Sequence, residues 1–166
     1  MPVMEVWIND KSIAVAGGED FDLLTLGVMS APESAYPVAI LTGRKRGTEE
    51  SLQWLNTPLK LGDRVQGILR AGGAATRPPN VEQLESKEVK VPVPGWPRVF
   101  VVRTQAQISR VSSDDSGTLM VTATWHHLYE HCRLEVTRFP KREKDPNRCW
   151  FESRAQFDEP ITIEIK

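Results

Sequence analysis

A glycine- and proline-rich break divides the chain into two parts of similar length. Residues 70–80 (RAGGAATRPPN) place two glycines before a pair of prolines, and prolines are excluded from helix interiors and from central strands. We therefore expect a linker over residues 74–88, between a first domain at 1–73 and a second domain at 89–166. No internal repeat is visible between the two parts.

The first part is predicted to be a mixed α+β domain. Alternating apolar residues predict a hairpin with its turn at Asn9-Asp10, and a helix is predicted over Phe21–Met29 because Phe21, Leu24 and Val28 would share one helical face. Asp20 or Asp22 would cap this helix. Strands are expected at residues 3–8, 11–16, 38–41 and 65–69, with a short helical turn at 51–55.

The end of the first part contains a short turn-and-strand motif followed by a glycine pair. Pro58, Leu59, Gly62, Asp63 and Val65 match a Pro-Leu-x-x-Gly-Asp-x-Val segment, and a glycine pair follows a few residues later. With the preceding hairpin and helix, residues 3–73 resemble the β-grasp fold of ubiquitin-like and sulfur-carrier proteins.

The resemblance implies a role for Gly72-Gly73, since the family activates the carboxylate of a terminal glycine pair. Here 93 residues follow Gly73 (166 − 73), so this role would require cleavage after Gly73. The alternative is that the glycine pair begins a flexible linker.

The second part is predicted to be all-β, as a sandwich or a small barrel. In Thr118–Trp125, one face would carry Leu119, Val121, Ala123 and Trp125, while Thr122 and Thr124 would lie on the other, which is typical of a strand with one buried face. Further strands are expected at residues 99–111, 132–139, 149–151 and 161–165, separated by polar loops.

Four residues of the second part are candidate ligands or nucleophiles: His127, His131, Cys132 and Cys149. In a helix, His127 and His131 could share a Zn²⁺ ion with a cysteine thiolate. In a strand their α-carbons would lie about 13 Å apart at ~3.3 Å per residue, too far for one ion without a bulge. The strand-like flanks favour the second case, so we expect no metal site and no cofactor.

Catalytic motifs are absent from the sequence. There is no nucleophile elbow, phosphate-binding loop or dinucleotide fingerprint. His131 and Cys132 are neighbours, and neighbours in a strand point to opposite faces, which rules out a dyad between them. Whether Cys149 approaches a histidine stays open. We expect a protein that is not an enzyme.

Residue types that favour binding are better represented. Trp96 lies in a Gly-Trp-Pro loop, and Arg44, Lys45 and Arg46 form a compact basic patch; tryptophan and arginine are frequent anchors of protein interfaces. A net charge of −1 argues against nucleic acid as the partner, and no apolar run is long enough to span a membrane. Two cysteines suit a reducing, cytoplasmic location.

Three functions follow in order of preference. The first is a non-catalytic cytoplasmic protein-binding module, an adaptor or an inhibitor of the kind found among bacterial immunity proteins. The second is a ubiquitin-like or sulfur-carrier protein fused to a β domain and processed after Gly73. The third is a metal or thiol enzyme that uses the histidine and cysteine cluster. The oligomeric state stays open.

Overall fold

Twelve β-strands make up the regular structure in the computed structural model, which describes residues 1–31, 36–78, 99–112, 117–140 and 148–166. The strands are β1 (Val3–Ile8), β2 (Lys11–Gly17), β3 (Phe21–Ser30), β4 (Val38–Lys45), β5 (Ser51–Pro58), β6 (Arg64–Arg70), β7 (Val99–Arg103), β8 (Ile108–Ser112), β9 (Gly117–His126), β10 (His131–Pro140), β11 (Arg148–Gln156) and β12 (Pro160–Ile165).

The strands form two six-stranded antiparallel sheets. One sheet, sheet A, has the order β2-β1-β6-β12-β7-β8, and the other, sheet B, has the order β11-β10-β9-β3-β4-β5. Their inner faces share one apolar core, whose fully buried side chains include Met4, Leu26, Phe100, Leu134 and Ile163. The fold is therefore a β-sandwich, the arrangement by which two half-apolar sheets remove their inner faces from water.

Close packing between the two sheets depends on a glycine in β6. A Cβ atom placed on Gly67 would lie 2.7 Å from Cδ2 of Leu26 in β3, well inside van der Waals contact. Leu26 is fully buried, so any side chain at position 67 would have to displace it. The glycine thus lets β6 and β3 approach each other at the centre of the sandwich.

The two halves of the chain have the same topology. Exchanging β1–β6 for β7–β12 in order converts each sheet into its own reverse. In each half the first two strands form a hairpin, the next three form a meander in the opposite sheet, and the sixth pairs with the first. We call residues 3–70 unit 1 and residues 99–165 unit 2; they meet at the β6–β12 and β3–β9 pairs.

One turn shows this equivalence in atomic detail. Before β6, the Asp63 amide donates to the Lys60 carbonyl oxygen, and Asp63 Oδ2 accepts from the Lys60 amide. Before β12, Glu159 makes the same two bonds with Gln156. Both turns have a positive φ at their third residue, 88° at Gly62 and 65° at Asp158. The two turns are therefore equivalent, 96 residues apart (159 − 63).

Both carboxylates also hold the first hairpin of their own unit. Asp63 Oδ1 accepts a bond of 2.8 Å from Asn9 Nδ2, and Glu159 Oε1 accepts one of 3.1 Å from the Gln105 amide. Asp63 and Glu159 are buried. Each carboxylate thus ties the β-turn before the last strand of its unit to the turn between that unit's first two strands.

The predicted helix at Phe21–Met29, and the β-grasp fold that depends on it, are wrong. These residues form β3, with Leu24, Leu26 and Val28 buried at every second position. The helical interpretation used Phe21, Leu24 and Val28 and ignored Leu26, which completes the period-2 pattern. Thr25, Gly27 and Val28 also disfavour a helix. No helix is present among the described residues, so the mixed α+β fold class and the ubiquitin-like resemblance are both corrected to an all-β sandwich.

Several strand predictions are confirmed, but the helical turn at 51–55 is also wrong because these residues begin β5. The described strands include the positions expected at 3–8, 65–69, 118–125 and 161–165. The run at 99–111 is a hairpin of β7 and β8 rather than one strand. Nowhere in the described parts of the chain is there a helix with the length and apolarity needed to cross a bilayer.

The domain division at 1–73, 74–88 and 89–166 stays a prediction. Its proposed linker lies between β6 and β7, and both sheets contain three strands from each side of it. Residues 74–78 contact unit 1: Trp54 Nε1 donates to the Thr76 carbonyl oxygen at 2.8 Å, and the Thr76 amide donates to the Val15 carbonyl oxygen at 2.9 Å.

Candidate functional site

The turn between β9 and β10 lies at one end of the strands of sheet B. The buried indole of Trp125 donates from Nε1 to the Tyr129 carbonyl oxygen at 3.0 Å, and the Tyr129 amide donates to the His126 carbonyl oxygen at 2.9 Å. These bonds fix the turn to the core. The side chains of Leu128 and Tyr129 are left 72% and 56% exposed.

Three potential metal ligands meet beside this turn. One ligand atom from each of Asp22, His126 and His127 lies within 4.8 Å of the other two, and the two imidazole rings have centroids 4.5 Å apart. The His127 amide donates to the Asp22 carbonyl oxygen at 2.9 Å, which joins the turn to the start of β3. We call these three side chains the Asp-His-His cluster.

A bulge positions Asp22 for this cluster. The pairing of β3 with β4 shifts between Phe21 and Leu23, so Asp22 is the extra residue, and such an irregularity breaks the alternation of side chains along a strand. Asp22 is buried together with Phe21, its neighbour in the chain.

Arg44 in β4 holds the Asp22 carboxylate from the other side. Its Nε and Nη2 atoms donate to Oδ1 and Oδ2 at 3.2 and 3.4 Å. This hydrogen bonding lowers the pKa of Asp22 against the opposing effect of burial, and the charges of Arg44 and the two histidines lower it further. Asp22 is therefore an anion across the neutral pH range.

A groove of about 360 Å³ lies on the outer face of sheet B next to the cluster. Side chains from β9, β10, β11 and the connecting turn line it: Thr124, His126, Tyr129, His131, Arg133, Glu152 and Arg154. Arg133 and Arg154 lie directly opposite each other on β10 and β11. Arg133 pairs with Glu152 at 3.0 Å and with Glu135 at 3.7 Å, and Arg154 has no ion pair among the described residues. We call this the arginine groove.

The structure separates the four candidate ligands named from the sequence. His127 belongs to the Asp-His-His cluster, whereas His131 stacks near Tyr129 in the arginine groove. Cys132 points into the core and is free. The side chain of Cys149 lies outside the described residues.

Burial makes Cys132 a poor nucleophile and a poor ligand. Removal from water raises the pKa of its thiol to about 12, because the core disfavours the thiolate. A nucleophilic thiol or a zinc ligand must be deprotonated at neutral pH. Cys132 is therefore a core side chain.

Alkylation with iodoacetamide tests this assignment. At pH 8, a pKa of about 12 leaves roughly one Cys132 in ten thousand as thiolate, against about one in ten at the ordinary value of 9.0. We expect modification of Cys132, located by peptide mass spectrometry, to be roughly a thousandfold slower in native than in denatured protein. Comparable native and denatured rates would contradict the burial of this thiol.

Two of the three basic residues predicted to bind a partner form ion pairs within the chain. In the basic patch, Arg44 pairs with Asp22 and Lys45 pairs with Glu50 at 2.9 Å, while Arg46 is exposed. Trp96 lies outside the described residues. The patch therefore presents less free positive charge than its sequence indicates.

Gly72 and Gly73 lie at the end of β6 and are exposed. The Met1 amino group donates to the Ala71 carbonyl oxygen at 3.1 Å just before them, and Thr76 is held on β2 just after them. The glycine pair thus lies between two anchored points of the chain.

Sequence reasoning missed Asp22 and His126 as parts of a cluster. Neighbours such as His126 and His127 point apart in a regular strand, but β9 ends at His126 and His127 already belongs to the turn. Asp22 is over one hundred residues away, so only the β3–β9 pairing brings it close. The adjacent histidines were the one local feature that could have indicated the cluster.

Comparison with known proteins gives no relative. No family model, no curated protein and no solved structure matches this chain. The arrangement of the site therefore supplies the basis for a functional assignment.

Proposed function

We propose that the chain is a non-catalytic, cytoplasmic protein-binding module that holds an acidic segment of its partner in the arginine groove. The observation that carries the proposal is the opposition of Arg133 and Arg154 on neighbouring strands. Like charges in directly opposite positions repel and destabilise a sheet. A carboxylate bound between them removes this repulsion and forms charge-assisted hydrogen bonds.

The surroundings of the two arginines suit a protein partner. Tyr129 and His131 provide partly apolar side chains beside the guanidinium groups, with ring centroids 5.3 Å apart. Tyrosine and arginine are the residues enriched at interface hot spots. The exposed Leu128 adds an apolar contact at the turn. An acidic segment with a neighbouring apolar side chain complements this surface.

The existing ion pairs of Arg133 with Glu152 and Glu135 are weak enough to exchange. Arg133 and Glu152 are each about half exposed, at 54% and 51%, and exposed ion pairs contribute about 0–1 kcal/mol. A partner carboxylate can therefore replace Glu152 at little cost. Arg154 has no ion pair among the described residues, so a partner carboxylate can bind it without displacing another carboxylate.

The chemistry of Cys132 and of the groove supports the non-catalytic and cytoplasmic parts of the proposal. Cys132 is a free, buried thiol with a raised pKa, which suits a reducing compartment and argues against thiol catalysis. The groove combines arginines with a single glutamate. Two guanidinium groups against one carboxylate suit the recognition of anions.

Selection from a phage-displayed library of random peptides tests the proposal. Peptides retained by the wild-type protein should be enriched in Asp and Glu. Fluorescence anisotropy should then show at least about a tenfold loss of affinity for the best acidic peptide in the Arg154→Glu variant, about 1.4 kcal/mol. The matched control is Arg110→Glu, an exposed arginine on the edge strand of sheet A, which should bind as the wild type does.

Two outcomes would overturn the proposal. One is a selection that yields no enrichment of acidic residues. The other is equal loss of affinity in the Arg154→Glu and Arg110→Glu variants, which would indicate a general charge effect rather than binding in the groove.

A further inference from the structure

We propose that Asp22, His126 and His127 bind one divalent transition-metal ion of the Zn²⁺ class. This metal site rests on a different observation from the acidic partner proposed for the arginine groove, although His126 also lines that groove. It rests on the convergence of three ligand atoms within 4.8 Å from two strands and a turn that are distant in sequence.

The three ligand atoms of the Asp-His-His cluster need to move only a short distance to reach metal-binding geometry. At Zn–N and Zn–O distances near 2.0–2.1 Å, tetrahedral ligand atoms lie ~3.3 Å apart, so separations of up to 4.8 Å must shorten by about 1.5 Å. His127 is exposed in the turn, and rotation of its side chain can supply this closure. Asp22 is buried and fixed by Arg44.

The donor set favours metals that prefer nitrogen ligands. Two imidazoles and one carboxylate suit Zn²⁺, Cu²⁺ and Ni²⁺, whereas Mg²⁺ and Ca²⁺ take oxygen ligands almost exclusively. Three protein ligands leave at least one coordination position for water or another group, as in open zinc sites.

Arg44 has two opposing effects on the site. Its positive charge repels a metal ion, but its two hydrogen bonds orient the carboxylate, which is the usual function of the residues around metal ligands. Each carboxylate oxygen of Asp22 keeps a second lone pair for the ion. Because Arg44 offsets the charge of Asp22, the imidazoles must supply most of the binding, which strengthens the preference for nitrogen-loving metals.

His126 links metal binding to the backbone of the turn. Its Nδ1 atom accepts a bond of 3.3 Å from the Leu128 amide. A metal on Nδ1 uses the same lone pair, and a metal on Nε2 forces the ring proton onto Nδ1. In both cases the Leu128 amide loses its acceptor, so ion binding should change the environment of that amide.

Titration of the tag-free protein with ZnCl₂ at pH 7.5, followed by isothermal calorimetry, tests the site. We expect one Zn²⁺ per chain, no heat with MgCl₂, and at least a tenfold loss of Zn²⁺ affinity in His127→Ala. The matched control is His131→Ala, which removes the one histidine outside the cluster and should bind Zn²⁺ as the wild type does. His127 is exposed, so its replacement should leave the fold intact.

A second readout locates the ion. In a ¹H–¹⁵N spectrum, addition of ZnCl₂ should shift the Leu128 amide in the wild type and in His131→Ala, and the same shift in His127→Ala should require at least tenfold more ZnCl₂. Absence of Zn²⁺ binding by the wild type would overturn the proposal. So would unchanged affinity in His127→Ala, or an equal loss in His131→Ala.

Discussion

Replacement of Phe100 by alanine is expected to lower the free energy of unfolding by about 3–5 kcal/mol. Phe100 lies on β7 and is fully buried in the core shared by both sheets. Removal of its ring loses apolar burial and leaves a cavity among side chains that are held by strand pairing. Since typical domains are stable by only 5–15 kcal/mol, this is a large fraction of the total.

The strands that lose amide-exchange protection in the Phe100→Ala variant show whether the two units fold together. β7 pairs with β12, which pairs with β6 of unit 1, so we expect loss of amide-exchange protection in β1 of unit 1 as well as in β12. Chemical denaturation gives the free energy and hydrogen-exchange mass spectrometry locates the loss. Ile108→Ala, at a 65% exposed position of β8, is the control and should change stability by less than about 0.5 kcal/mol.

Protection lost in residues 99–166 alone, with β1 unchanged, would contradict a single folding unit. It would support instead the domain division at 74–88 predicted from the sequence. The experiment therefore decides whether the two units unfold together or separately.

Alanine at Asp63 or at Glu159 is expected to lower the free energy of unfolding by about 3 kcal/mol, and by nearly the same amount in both variants. Each buried carboxylate accepts two hydrogen bonds, one in its own turn and one from the hairpin turn of its unit. Hydrogen bonds to charged groups contribute about 1.5–3 kcal/mol each. In both variants the donors lose their acceptors in a buried setting.

Urea denaturation of the two variants provides the measurement. Glu50→Ala is the control, because Glu50 is exposed and its side chain pairs with Lys45 at the surface; its effect should be below about 1 kcal/mol. A large loss in one variant and none in the other would show that the two turns are alike in geometry but not in energetic contribution.

Strand positions could be predicted from the sequence where one face is buried and the other is solvated. In β9, Leu119, Val121, Ala123 and Trp125 occupy every second position and all four are buried as expected, with Met120, Thr122 and Thr124 between them. The same period is present at Leu24, Leu26 and Val28, but a helical spacing of Phe21, Leu24 and Val28 competed with it. Helix and strand periods overlap over short windows, so the spacing of Phe21, Leu24 and Val28 does not by itself distinguish a helix from a strand.

The equivalence of the two units could not be predicted from the sequence. Residues 60–69 and 156–165 form equivalent turns and strands, yet no residue is identical between them at the offset of 96. What they share is physical: an acidic side chain at the fourth turn position and a left-handed residue before it. Aspartate and glutamate both supply the carboxylate, and glycine and aspartate both adopt the left-handed conformation, glycine at the lower cost.

The sequence alone led to the expectation of no metal site. His127 was a candidate ligand together with His131, Cys132 and Cys149, all in the second half of the chain. Asp22 approaches His127 through the β3–β9 pairing and a bulge, and long-range pairing is not encoded in any local pattern. The proximity of Asp22, His126 and His127 is therefore visible only in the structure.

The exchange of β1–β6 for β7–β12 has a consequence for how this molecule can specialise. A homodimer of half-length chains with this pairing would carry every surface feature twice. In a single covalent chain each copy can diverge separately: the end of β9 carries His126, whereas the corresponding end of β3 carries Ser30 and Ala31, both buried. One end of the central strand pair is thus buried, and the other carries the partly exposed His126 and the exposed turn that follows it.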